Sequence, residues 1–193
     1  MKIGVLALQG DFLEHQQALD RLSVESSQVR TAAGLANLDG LIIPGGESTV
    51  IGKLAEDFGL LDPLRKFAEK KAVWGTCAGS IFLSKDARRN QPLLGMMDIS
   101  VARNAFGRQV DSFEIDLVIP ALTTPSGENP PFHAIFIRAP LIEYVGTEVA
   151  VLSELPDGRI VAARQNKWLA TAFHPELGGD DRLHHLFLEM SQS

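Results

Sequence analysis

Three times in the first eighty residues a short apolar run stops at a turn containing glycine and gives way to a helical period, and that repetition narrows the architectures open to this chain. The runs are Ile3 to Leu8, closed by Gln9-Gly10-Asp11; Leu41-Ile42-Ile43, stopped by Pro44-Gly45-Gly46; and Ala72 to Gly75, which opens into Thr76-Cys77-Ala78-Gly79. Apolar residues at consecutive positions, without alternation, are the pattern of strands buried on both faces of a parallel sheet. Asp11 is placed to cap a helix reaching about Leu22, with Phe12, Leu19 and Leu22 near one face. Ser48 and Thr49 are placed to cap a second, through Val50, Ile51, Leu54 and Phe58. A third runs from about Asp62 to Lys70, with Pro63 in its first turn and Leu64, Phe67 and Ala68 at core spacing. A weaker strand around Gln28 to Thr31 and a helical turn near Leu35 to Leu38 join the first two units. Strand and helix in alternation mean an α/β fold with parallel pairing and right-handed crossovers.

The second half reads differently. After a helix over Gly79 to Ser84 and a polar loop at Arg88 to Pro92, strand patterns follow at Ile99 to Val101, Asn104 to Arg108 and Phe113 to Val118, the last with period-two alternation. These are expected as antiparallel additions to a mostly parallel central sheet. Thr123 to Pro131 reads as an exposed loop, His133 to Pro140 as strand, and Val149 to Leu152 with Ile160 to Arg164 as a hairpin turning through Pro156-Asp157-Gly158. Trp168 to Phe173 is a last strand, and a helix from about Asp181 sets Leu183, Leu186, Phe187 and Met190 on one face. One domain spanning 1–193 accommodates all of this.

Composition removes several functions. The 193 residues are 45% hydrophobic and 22% charged with a net charge of -6, and no basic stripe or Lys/Arg block suits nucleic acid or an anionic membrane surface. No stretch is long and apolar enough for a signal peptide or a membrane span. A lone cysteine forms no internal disulfide, so a cytoplasmic setting is the expectation.

That cysteine, Cys77, sits between Gly75 and Gly79 where a strand turns into a helix. Such a turn pushes its central residue into an exposed, strained position, and the helix N-terminus favours thiolate over thiol. A lone cysteine is otherwise a small buried hydrophobe; the flanking glycines favour a displayed nucleophile. A cysteine nucleophile needs a base and a group to orient that base. His174 ends an apolar strand as Cys77 does, and Glu176 follows two residues later beyond the stiff Pro175. His15 lies on a helix with no evident carboxylate partner, and the adjacent His184 and His185 cannot share a helix face, so no metal site is expected. His133 opens a strand and receives no role. Gly45-Gly46, past the end of a strand, leaves backbone N–H groups free to meet an anion or a developing oxyanion.

Taken together, Gly75-Thr76-Cys77-Ala78-Gly79, Phe173-His174-Pro175-Glu176 and Pro44-Gly45-Gly46-Glu47-Ser48-Thr49 resemble a class I (triad) glutamine amidotransferase. More narrowly, Ala7-Leu8-Gln9-Gly10, the Gly-Gly-Glu-Ser-Thr loop, Arg103 to Gln109, Phe136-Ile137-Arg138-Ala139-Pro140 and Arg164-Gln165 resemble the PdxT family, the glutaminase subunit of pyridoxal 5'-phosphate synthase, from Ile3 to Met190. The resemblance implies a flavodoxin-like three-layer sandwich that hydrolyses L-glutamine and passes ammonia to a PdxS-like synthase subunit, with no cofactor or metal. It places the nucleophile on Cys77, the base on His174 and the orienting acid on Glu176. Glutamine binding falls on Gly46, Glu47, Ser48, Arg103, Ile137 and Arg138, and the oxyanion hole on Gly46 and Ala78. Two other readings remain: a stand-alone cysteine hydrolase of the PfpI type, against which a late-strand His-Pro-Glu speaks, and a non-enzymatic α/β binding module in which the cysteine is incidental.

Overall fold

Leu41 and Ile43 point into one apolar cluster and Ile42, between them, into another, so the strand they form has a core on each face. Val73 and Trp74 divide in the same way. The computed structural model describes residues 1–103, 112–122 and 127–192. Its elements run β1 (Lys2–Leu6), α1 (Phe12–Arg21), β2 (Glu25–Val29), β3 (Gly40–Ile43), α2 (Ser48–Asp57), α3 (Leu61–Ala68), β4 (Ala72–Thr76), α4 (Ala78–Leu83), β5 (Ser84–Asp86), β6 (Met97–Ala102), β7 (Ser112–Leu117), β8 (Phe132–Ile137), β9 (Leu141–Val145), β10 (Ala150–Glu154), β11 (Ile160–Gln165), β12 (Trp168–Thr171) and α5 (Arg182–Gln192).

The main sheet has the order β2-β1-β3-β4-β12-β11-β9-β6-β5, with β10 pairing β11. From β2 to β12 every pairing is parallel; β11 then pairs antiparallel with β12, β10 and β9. One cluster packs α2, α3 and α4 on one face through Ile51, Ala55, Leu64, Ala68 and Phe82. On the other, α1 and α5 bring Leu19, Leu183 and Phe187 against Ile3, Val5 and Trp74. This is the α/β sandwich with a mostly parallel sheet that the alternating runs predict.

The chain leaves β1 for β2 on one side and crosses to β3 on the other. In open α/β sheets the crevice outside the carboxyl ends of the strands at such a reversal is where ligands bind. The segments emerging there are Ala7 to Asp11, Pro44 to Glu47, Cys77 and Ala172 to His174.

Several local expectations are corrected. The weak strand expected at Gln28 to Thr31 is Glu25–Val29, and the turn after it, expected at Leu35 to Leu38, is a 3-10 segment at Ala32–Leu35. The strand at Phe113 does not join the main sheet: β7 and β8 pair in register as a separate antiparallel ribbon, with Phe113 and Phe136 stacked 4.5 Å apart. Their alternation is that of a ribbon with one wet face, which Glu114, Asp116 and His133 occupy. The main-sheet strand β9 and short β5 are not evident in sequence, because Leu141–Val145 mixes Glu143 and Tyr144 into a run with little alternation. Ser48 and Thr49 are not the cap of α2. Glu47 is, accepting the Thr49 N–H at 3.2 Å and the Thr49 hydroxyl at 2.9 Å. The expected strand at Asn104 to Arg108, with the motif through Gln109, lies outside the described residues, as does 123–126 of the expected loop.

Candidate active site

Cys77 caps α4 with φ 47° and ψ −110°, a left-handed backbone rarely adopted by a residue with a side chain. Both neighbouring glycines are needed for that turn. A Cβ on Gly75 would be driven into the Gly79 carbonyl, and one on Gly79 into the carbonyl oxygen of Ile43 at the end of β3. The Cys77 carbonyl accepts the Ser80 hydroxyl at 2.7 Å and the Cys77 N–H reaches Thr171 O at 2.8 Å, which locks the strained residue between β12 and α4. The residue is 6% exposed and lines the crevice.

Adjacent parallel strands place the histidine. β4 and β12 run in register with Thr76 opposite Thr171, so the residues just past their ends, Cys77 and His174, meet at one edge. The His174 N–H is held by Ile135 O of β8 at 2.8 Å, which fixes the ribbon over the same edge. His174 Nδ1 lies 2.8 Å from Glu176 Oε1 and 3.5 Å from Asp11 Oδ2. Asp11 precedes α1 as expected but makes no capping hydrogen bond there; its carboxylate turns to the histidine. Burial works against the imidazolium, yet hydrogen bonds and charge from Cys77 and Glu176 outweigh it and push His174 up to about 10. Burial raises Glu176, against the stabilising hydrogen bond and charge of His174.

A cavity of about 310 Å³ extends from the sulfur, lined by Asp11, Gly46, Glu47, Ser48, Cys77 and Ala78 together with Ile81, Arg103, Ile137, Arg138, Pro140 and His174. It lies at the lower end of the size range of small-ligand sites. Glu176 is not part of the lining; it stands behind His174 and is almost fully buried. In the cavity lining Arg103 pairs with Glu47 at 2.8 Å. Burial raises Glu47, but hydrogen bonds from Arg103 and Thr49 outweigh it and leave its carboxyl lowered. The Glu47 N–H donates to Gln9 Oε1 at 2.7 Å, and the Asp11 N–H to Gly45 O at 3.2 Å, so the Gly45-Gly46 turn is stitched to the turn after β1. Gly46 has φ 147°, and a Cβ there would meet the Gln9 side chain.

Two residues carry more than their sequence positions suggest. Gln9 anchors the loop; the sequence points to it only as part of the Ala7-Leu8-Gln9-Gly10 motif, with no role attached. His15, read above as lacking a carboxylate partner, is fully buried with Nε2 3.4 Å from Glu176 Oε2. His184 is buried beside it, whereas His185 faces outward 3.2 Å from Glu189. His133 stands on the wet face of the ribbon between Glu114 and Asp116, at 2.9 Å and 2.8 Å. Among the described residues, the one cluster whose donor atoms converge as a metal site would require is Asp11, His174 and Glu176, and there the imidazole Nδ1 is already engaged by the carboxylate.

The family model for the SNO glutamine amidotransferase family matches residues 5–193. The chain is 58% identical to the pyridoxal 5'-phosphate synthase subunit PdxT of Herpetosiphon aurantiacus, covering 97% of this chain and 99% of the relative, and 53% identical to that of Dehalococcoides mccartyi, covering 100% and 98%. A crystal structure described as a glutamine amidotransferase superposes with a TM-score of 0.91 at 49% identity over 99% of each chain. Strand–elbow–helix geometry and relatives agree: this chain belongs to the SNO glutamine amidotransferase family.

Proposed function

We propose that this chain is the glutaminase subunit of a pyridoxal 5'-phosphate synthase, with Cys77 as nucleophile, His174 as base and Glu176 as orienter. One observation carries the reading: His174 bridges the strained Cys77 and the buried Glu176 in a cavity whose lining also carries a paired Glu47 and Arg103. Glutamine presents three groups to such a cavity. Arg103 suits the α-carboxylate and Glu47 the α-ammonium, which lets the zwitterion replace the ion pair now joining them. Ser48, Ile137 and Arg138 complete the walls around the side chain.

The side-chain amide then lies at the sulfur. The Cys77 thiolate adds to the amide carbon, and backbone N–H groups of Gly46 and Ala78 meet the oxyanion. His174 delivers a proton to the departing nitrogen, the C–N bond breaks, and ammonia leaves a glutamyl thioester. Water, losing a proton to His174, adds to the thioester; the C–S bond breaks and glutamate departs with Cys77 regenerated. The residues perform each of these steps without a metal or organic cofactor.

The released ammonia is passed to a PdxS-like synthase subunit in the cytoplasm. Partner docking completes the oxyanion hole, and the Gly45-Gly46 turn is the switch, since the bond its Gly45 carbonyl accepts from Asp11, and the one the adjoining Glu47 N–H donates to Gln9, must be exchanged as the backbone turns. Glutamate release measured with and without a PdxS-like subunit tests the reading. Expected are a rise of at least about tenfold on adding the partner and loss of activity in Cys77→Ala, still folded and still binding. Full activity in Cys77→Ala, or equal turnover with and without the partner, overturns the corresponding part.

A further inference from the structure

Behind Glu176, on the side away from His174, the protein buries two imidazoles in a row. His15 of α1 and His184 of α5 are both 0% exposed, with His15 Nδ1 3.0 Å from His184 Nε2. The indole of Trp74 stands nearly perpendicular to both rings, its centroid 5.7 Å from that of His15 and 4.9 Å from that of His184. On its other side His15 Nε2 lies 3.1 Å from the Thr76 hydroxyl and 3.4 Å from Glu176 Oε2. Glu176 Oε1 is taken by His174, while Oε2 is buried with no well-aligned hydrogen bond among the described residues, as is His184 Nδ1.

Burial favours the neutral form of both imidazoles. Burial lowers His15 well below its usual value, with further lowering by His184 and His174, and burial lowers His184 to about 4. A neutral imidazole has one N–H and one lone pair, so the 3.0 Å contact has two possible senses. If His15 donated, its Nε2 lone pair would face the Glu176 carboxylate, and His184 would bury an orphaned N–H. If His184 donates, His15 Nε2 carries the hydrogen toward Thr76 and Glu176, and the unpaired atom is an acceptor at the rear. Buried orphan donors are rarer than under-satisfied acceptors, and lone pair against carboxylate repels. The second sense prevails.

We propose that His15, locked by His184 as its Nε2–H tautomer, is a positioning residue that presents a donor to the rear oxygen of Glu176 and so holds the front oxygen on His174. The proposal rests on the triad reading above. The groups facing Glu176 are His174 with Cys77 beyond it, Asp11 from the turn after β1, whose charge raises Glu176, and His15 from α1. Behind His15 stands His184, and beyond that the Arg21–Asp181 ion pair. Besides the backbone N–H of Glu176 itself, His15 is the group in this set that brings a neutral N–H near Oε2, at 3.4 Å and shared with the Thr76 hydroxyl, so its removal lets the carboxyl take a proton at higher pH and release the imidazole.

The test is the pH profile of glutamine hydrolysis by the assembled synthase with wild type, His15→Leu, His15→Gln and His184→Leu. Expected for His15→Leu is a kcat fall of about 10- to 100-fold with KM within about twofold and the acid limb moved up by about one pH unit. His15→Gln, whose amide nitrogen reaches the place of Nε2, recovers most of both. His184→Leu, which frees the tautomer, moves the limb in the same direction and serves if His15→Leu does not fold. In a Glu176→Gln background His15→Leu adds no further loss in kcat. An unmoved acid limb, or additive losses in the double variant, leaves His15 as packing and overturns the proposal. If wild type fails to hydrolyse glutamine, or Glu176→Gln is fully active, the triad reading falls instead, so the two failures are distinguishable.

Discussion

At Cys77 one residue combines a left-handed backbone, near-complete burial and a place on the cavity wall. In the proposed mechanism the strain aims the sulfur, and the hydrogen bonds and charge of Cys77 and Glu176, outweighing the burial of His174, keep a proton at hand for the leaving group. In the proposed triad Glu176 acts on the substrate only through His174. Glu176→Gln therefore lowers kcat by about 10²- to 10⁴-fold, the span of general acid–base assistance, while KM stays near the wild-type value; steady-state kinetics of the complex read both numbers. His15 shows a signal that the sequence carries at a single residue. It sits three residues after Phe12 and three before Ala18 on the buried face of α1, and a polar residue on an apolar face is a signal in its own right.

At the scale of elements the site depends on how closely α4 seats against the ends of β3 and β4. Helix α4 has every residue buried, and Gly79 lets it touch the carbonyl of Ile43. Gly79→Ala forces α4 away from β3 and costs about 3 kcal/mol, the upper part of the range for an overpacked core. Thermal unfolding of the isolated chain should show the midpoint lowered by about 6–12 °C, and the folded fraction should alkylate Cys77 more slowly as the elbow is displaced. No such loss would mean the elbow adapts. The β7–β8 ribbon is the other element that builds the cavity: Ile135 anchors His174, and Ile137 with Arg138 lines the wall. Its strands were legible from alternation; their separation from the main sheet was not, because local pattern does not name a pairing partner.

For the whole molecule, acid stability follows from the buried imidazoles. His184 is depressed from 6.5 to about 4 by burial, and His15 is depressed as well. A group with a lowered folded value stabilises above its unfolded value and loses that contribution as pH falls through the folded one, because the unfolded chain binds the proton first. Stability should thus decline between pH 6.5 and about 4, with about 3 kcal/mol from His184 at the lower end. Urea titrations across that window check it. The slope should flatten in His184→Gln, and an equal slope in both proteins would contradict the assignment.

Sequence by itself determined the βα alternation, the doubly covered parallel sheet and the elbow at Cys77, since each follows from apolar periodicity and glycine placement within a few residues. It also brought Cys77 and His174 to comparable strand ends. Tertiary structure alone decided that β4 and β12 are neighbours, that Glu47 rather than Ser48 caps α2, and that α1 and α5 deliver His15 and His184 to the back of Glu176. Those facts join residues separated by up to 169 positions, and chain pattern carries no information about which distant face a buried polar group will meet.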